Sequence, residues 1–182
     1  MTGNAKTPTY VLLLRGINVN PSTRVAMADL RELLADAGYP GARTLLQSGN
    51  VILESASPPD VLAIDDAIAR VTGVRSRVVA LTVDELATIA KANPLLPVSD
   101  DMSKLTITFL DGDIVPADIE RPGDDDLAPE RLVITKRAVY QWCPDGVLQS
   151  KLKPSWWRQF GPLLTARNVR TVNRILEAAA AS

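Results

Sequence analysis

The chain has 182 residues, 46% of them hydrophobic, with 20 basic and 21 acidic side chains, one cysteine and no histidine. That is enough apolar sequence for one large domain or two small ones. A lone cysteine excludes an internal disulfide, and the lack of histidine excludes Ser-His and Cys-His nucleophile systems and the usual zinc sites.

The polar stretch Met1–Thr9 lacks a secretory signal segment, so a frayed end and a cytoplasmic location are expected. No apolar run approaches the length of a membrane span. Thr9–Asn18 reads as a strand with a continuous apolar centre, Tyr10–Leu14. Residues 26–38 read as a helix, with Met27, Leu30, Leu33 and Leu34 at three- and four-residue steps and Gly38 where it should stop. Arg43–Gln47 and Val51–Glu54 flank Ser48-Gly49-Asn50 as a hairpin. A second helix follows Pro58-Pro59, carries Val61, Leu62, Ile64, Ile68 and Val71, and ends at Gly73. Ser76–Leu81 is the next strand.

The order strand, helix, strand, strand, helix, strand is the split β-α-β pattern of ferredoxin-like domains. In that topology the first and third strands are antiparallel neighbours. The end of the first, Arg15–Asn18, should therefore approach the 48–50 turn. Apolar groups on both faces of Val11–Leu14 and Val51–Leu53 call for a second cover, from the C-terminal half or from a partner chain.

Thr82–Glu85 has capping-box spacing and should open a third helix that stops before Asn93-Pro94. Pro94–Asp101 reads as a linker. Lys104–Leu110 alternates Leu105, Ile107 and Phe109 with Thr106 and Thr108, a half-buried strand. Asp124–Asp126 reads as a solvated acidic loop, without the ligand spacing of a calcium loop. Arg131–Lys136 and Ala138–Trp142 form a hairpin. The remainder reads as helical, around Ser155–Phe160 and over Asn168–Ala180, with the adjacent rings of Trp156 and Trp157 diverging. The expectation is an α+β protein of two ferredoxin-like subdomains with antiparallel sheets, residues 1–81 and 82–182, the second modified.

Charge is unevenly spread. Residues 99–130 carry two basic and ten acidic side chains, and residues 131–182 carry nine basic and two acidic. Mutual attraction within one fold is the simplest explanation.

Several segments resemble a bacterial family known as domain of unknown function 1697. They are Tyr10–Val19 with Leu13-Leu14-Arg15-Gly16-Ile17-Asn18, Met27–Arg31, Leu46–Val51, Asn93-Pro94, Ser150-Lys151-Leu152, and Thr165–Asn168 with Thr171-Val172. The resemblance implies a pair of ferredoxin-like domains and no established activity. Two departures stand out. Asn20-Pro21-Ser22-Thr23 replaces a Gly-Gly pair common in the family, and Val169 replaces a Trp. The first weakens any phosphate loop made of bare amides, because Pro21 has no N–H.

The candidate ligand site is the set Arg15, Asn18, Gln47, Ser48 and Asn50, a guanidinium among neutral donors and acceptors suited to a small anionic or polar ligand. The same residues suit an ion pair and turn hydrogen bonds; Gly16, Gly49 and Asn50 read first as bulge or turn residues. Lys151, Arg167 and Asn168 are a second, anion-binding candidate set. Arg167, Arg170 and Arg174 should share one side of the last helix. Cys143 reads as a small apolar filler. No catalytic residue, metal or cofactor is assigned. An enzyme acting on a phosphorylated or carboxylated substrate, with Lys151, Arg167 or Asp29 assisting Arg15, is an alternative. So is nucleic-acid association through the basic C-terminal face, the less favoured because the central strands lack stacking aromatics. An oligomeric partner stays open, and no membrane partner is expected.

Overall fold

A computed structural model describes residues 7–181 of the chain. The frayed end expected at Met1–Thr9 therefore lies, up to residue 6, outside the described residues. Strand β1 (Thr9–Arg15) is the centre of the first half. Its even positions Tyr10, Leu12 and Leu14 enter a core with Leu30 and Leu34 from helix α1 (Met27–Asp36). Strand β2 (Arg43–Leu45) and strand β3 (Asn50–Glu54) make the hairpin, with Val51 and Leu53 in the same core. Helix α2 (Val61–Thr72) adds Ile64 and Ile68. The Asp60 carboxylate caps it by accepting from the Ala63 amide, and Gly73 ends it with a left-handed backbone, φ 74°.

Strand β4 (Arg77–Thr82) completes a sheet of order β2-β3-β1-β4, every pair antiparallel. β1 thus neighbours β3, as the threading requires. The central odd positions of β1 are equally dry: Val11 and Leu13 are buried, as are Ile52, Val79 and Leu81. Each such side chain contributes roughly 2 kcal/mol by leaving water, so both faces of this sheet hold the fold. Helix α3 (Val83–Lys91) opens on the expected capping box. Thr82 Oγ1 accepts from the Glu85 amide, and Glu85 Oε2 accepts from the Thr82 amide.

Strand β5 (Leu105–Leu110) departs from the half-buried expectation, because all six residues are buried. Its threonine face is lined by a local core in which Leu110 joins Leu127, Leu132, Val139 and Phe160. The acidic run is one exposed turn of helix α4 (Asp124–Leu127), not a loop; Leu127 anchors it in that core. Strands β6 (Arg131–Ile134) and β7 (Ala138–Trp142) form the hairpin. Leu164–Asn168, where no strand is expected from the sequence, forms strand β8. It pairs with β5, so the second sheet has order β6-β7-β5-β8, again antiparallel. Helix α5 (Val169–Ala180) follows without a break.

In the second half, short 3-10 turns and the single turn α4 replace the long crossover helices of the first. One of them, Trp156–Phe160, brings the two tryptophans together instead of splaying them. Their ring centroids lie 4.9 Å apart, edge to face, and Trp156 is 5.0 Å from Phe160. Tight 3-10 winding and the Phe160 anchor override the helical divergence.

The fold is therefore α+β, with two four-stranded antiparallel sheets and five α-helices among the described residues. The chain divides into two compact units, one running to Leu86 and resuming at Ala178, the other Ala87–Glu177. No helix among the described residues is long and apolar enough to cross a membrane.

Candidate functional site

The end of β1 and the β2–β3 turn do meet. The Leu14 amide donates to the Gly49 carbonyl at 2.8 Å, and Asn18 Nδ2 donates to the Gln47 carbonyl at 2.7 Å. The polar side chains are largely spent on holding this junction. Asn18, at φ 53°, also donates through Nδ2 to the Val25 carbonyl and accepts at Oδ1 from the Val25 amide at 2.8 Å. It clips both ends of the following loop to the turn. Asn50 is fully buried and belongs to β3, where it opposes Leu13 and Leu45, so it is a strand residue and not part of the turn. Its Nδ2 donates to the Leu45 carbonyl and to Ser48 Oγ. Gln47 and Ser48 are exposed.

The loop after β1 closes on itself. Thr23 Oγ1 accepts from the amides of Val19 and Asn20, Asn20 Oδ1 accepts from that of Ser22, and the Asn18 amide donates to the Thr23 carbonyl. With Pro21 lacking an N–H, this loop keeps no row of amides for a phosphate.

What the strand end presents instead is guanidinium. Arg15 stands directly opposite Arg77 across the β1–β4 pair, and both are exposed. Arg75, also exposed, lies two residues before Arg77, and its carbonyl approaches Gly16. Beneath them Ser76 is buried and donates to Asp65 Oδ1 at 2.7 Å, while Asp65 Oδ2 accepts from the Val78 amide. This fixes the start of β4 from below; the flanking arginines are exposed, and Arg77 Nη1 donates to the Ser76 carbonyl at 3.2 Å. Arg75 and Arg77 escaped the sequence reading; the alternation of arginine around a buried serine was the available signal.

The second candidate set is dispersed. Lys151 lines a cavity of the second unit in which neither Arg167 nor Asn168 takes part. Arg167 belongs to β8, not to the last helix, so its expected alignment with Arg170 and Arg174 fails. It donates to Thr165 Oγ1 and to the Ala166 carbonyl, and burial pushes its pKa down to about 10, leaving it cationic at neutral pH. Asn168 Oδ1 accepts from the Thr171 amide and caps α5. Asp29 is an exposed acid in the first turn of α1, a favourable position for the helix dipole.

The two charge blocks do pair. Asp113 meets Lys136 at 2.6 Å and Arg137 at 3.8 Å, and Asp101 meets Arg170 at 3.1 Å. Hydrogen bonds from Ser103 and the nearby Arg170 hold Asp101 below the usual carboxylate range. Among the described residues no group of three His, Cys, Asp or Glu side chains is placed to hold a metal ion.

Cys143 is buried, and its surroundings disfavour a nucleophile. Burial and the adjacent Glu130 carboxylate push the thiol up to about 12. The thiolate is the reactive form, and near pH 8 it is roughly one part in ten thousand at such a pKa. Native protein treated with iodoacetamide near pH 8 is expected to stay unmodified at Cys143 while urea-unfolded protein is fully labelled. Intact-mass analysis over matched times checks this.

No curated protein matches the chain. A solved structure, that of the conserved bacterial protein SP0830 from Streptococcus pneumoniae, matches with a TM-score of 0.65 at 19% identity, covering 96% of this chain and 99% of that one. At that identity the likeness speaks to the fold alone. A family model described as "Protein of unknown function (DUF1697)" matches residues 7–140, a range that contains the Leu13–Asn18 and Gln47–Val51 segments and both arginines of β1 and β4. With most of its length matched, the chain belongs to the DUF1697 family of proteins of unknown function.

Proposed function

We propose that the protein is a binding protein for a small anionic ligand held at the Arg15–Arg77 end of the first sheet. The observation that carries the reading is the placement of Arg15 opposite Arg77 with Arg75 alongside. Like charges directly opposite across a strand pair are unfavourable, and an anion bridging guanidinium groups reverses the sign of that interaction while using their two-point geometry. Exposed Gln47 and Ser48 supply neutral polar contacts on the neighbouring turn. Asn18 and Asn50 act from within, by fixing the turn and the strand end in place. Several guanidinium groups in one place favour a ligand with more than one negative charge, such as a phosphorylated metabolite.

The test is thermal unfolding with inorganic pyrophosphate, citrate and a nucleoside diphosphate, on the native protein and on Arg77→Ala and Arg15→Ala. A ligand present at about a hundred times its Kd stabilises by about 2.7 kcal/mol, a Tm rise of roughly 5–10 °C at this size. At least one of these anions is expected to give such a rise, and both variants are expected to remove most of it. Arg77→Ala, at an exposed position, should shift the ligand-free Tm by no more than about 2 °C. Absence of any stabilising anion, or a shift that survives both substitutions, overturns the reading.

A further inference from the structure

The second unit contains a cavity of about 520 Å³, within the roughly 300–1,000 Å³ range of small-molecule sites. It is made by the stretch around α4 and the stretch Lys151–Gln159. Its apolar part is Pro122, Leu127, Leu152 and Trp156, the two leucines being buried side chains of the local core.

These walls are fixed by hydrogen bonds that do not involve a ligand. Trp156 Nε1 donates to the Glu120 carbonyl at 2.6 Å, Gln159 Nε2 donates to the same oxygen, and the Glu120 amide donates to Gln159 Oε1. The Trp156 ring is held edge-on between Trp157 and Phe160. At the start of the same stretch, the Lys151 amide donates to buried Glu130, and Lys151 Nζ donates to the Ala128 carbonyl. A pre-formed pocket spends little binding energy on ordering itself.

The charge of the lining is mixed and slightly positive. Arg121, Lys151 and Lys153 face Glu120 and Asp126, an excess of one cation. Arg121 is already paired with Asp124. Lys153 is exposed, and its ammonium makes no hydrogen bond or ion pair among the described residues. A fixed apolar wall with an aromatic ring, next to one available ammonium, recognises an apolar body that ends in a single negative charge. The two carboxylates oppose a second charge.

The geometry points to this cavity as a second site, specific for an amphipathic organic monoanion such as an aromatic or medium-chain carboxylate. It differs from the arginine site of the first unit in chemistry, since a polyanion without an apolar body finds nothing to fill the Leu127–Leu152–Trp156 wall.

The experiment is titration calorimetry of the full chain with 1-naphthoate, its neutral counterpart 1-naphthylmethanol, and inorganic pyrophosphate. The variants are Lys153→Glu, which reverses the available charge, and Ser155→Phe, which adds a ring at an exposed lining position. One naphthoate per chain is expected to bind. A charge-assisted contact worth its usual amount makes both the alcohol and Lys153→Glu about tenfold weaker. Ser155→Phe is expected to abolish binding, and Arg77→Ala to leave it unchanged, which keeps this site distinguishable from the first. No saturable naphthoate binding, equal affinity for the alcohol and the acid, or affinity unaltered in both cavity variants overturns the proposal. The acid–alcohol comparison needs no variant, so the outcome does not depend on how either substitution folds.

Discussion

Gly49→Ala is expected to cost about 3 kcal/mol and to lower the Tm by roughly 10 °C, although a single methyl group is added. Two effects combine. Gly49 has φ +78°, a backbone that costs an L side chain about 1–2 kcal/mol. A Cβ there would stand 2.7 Å from Ile17 Cδ1 and 2.8 Å from Leu14 Cβ. Both neighbours are buried, at 3% and 1% exposure, so neither can swing into solvent. Overpacking of that kind costs a further 1–3 kcal/mol or so. Gly73→Ala is the internal control. Gly73 has nearly the same φ, +74°, with nothing within 4 Å of a Cβ. It should lose only about 1 kcal/mol, the conformational share alone. Urea unfolding of the two variants checks the difference. Equal losses would mean that the collision at Gly49 is relaxed by a backbone shift. A larger loss at Gly49 also predicts weaker anion binding at the strand end, because the bond from the Leu14 amide to the Gly49 carbonyl anchors the residue that precedes Arg15.

The junction that Gly49 closes was legible in the sequence as topology and illegible as chemistry. Apolar β1, the periodic helices α1 and α2, Gly73 and the Thr82–Glu85 box each carry a local signal that burial then obeys. Together they force β1 beside β3. Nothing local says that Asn18 spends its amide on Val25 and Gln47, because that depends on how the 19–23 loop closes. Arg77 was missed for a related reason. Its significance comes from standing opposite Arg15, and register is a property of the strand pair that neither strand contains alone. In the second half the signals are weaker. β8 is five residues that run straight into α5, with Arg167 and Asn168 at the helical boundary, so the apolar periodicity of the helix masks the strand. The threonines of β5 read as a solvent face because Thr106 and Thr108 are polar. They are buried at 7% and 3% exposure, and methyl-bearing threonine tolerates that environment when its hydroxyl is bonded.

Glu130→Ala is expected to have the largest effect in the second unit, about 4 kcal/mol by urea unfolding. Glu130 is 9% exposed, and its carboxylate ties two separate pieces of chain, β7 and the 150–151 segment, to its own. Oε2 accepts from Gln141 Nε2 at 2.7 Å on β7 and from Ser150 Oγ at 2.8 Å, and Oε1 accepts from the Lys151 amide at 2.6 Å. Removing the acceptor orphans the Ser150 hydroxyl and the Lys151 amide in a dry site, at roughly 1–3 kcal/mol each before water entry and relaxation recover part of the loss, and leaves Gln141 Nε2 with Ser150 Oγ as its remaining acceptor. Glu130→Gln separates charge from shape. It preserves one acceptor for the Lys151 amide, and the new NH2 requires Gln141 to turn its amide oxygen toward it, so the loss should fall to about 1–2 kcal/mol. The two variants also differ in what they do to Cys143. Its thiol is raised first by burial and then by the charge of Glu130 and its hydrogen bond. Either substitution removes that charge, so iodoacetamide labelling near pH 8 should accelerate in both, and more in the alanine variant, where the site is also opened. Labelling as slow as in the native protein would show that burial alone controls the thiol. Because the same carboxylate holds the Lys151 amide at the cavity wall, naphthoate binding should weaken in Glu130→Ala and largely survive in Glu130→Gln. That pattern ties the second site to the position of the 150–151 segment and not to the net charge around it.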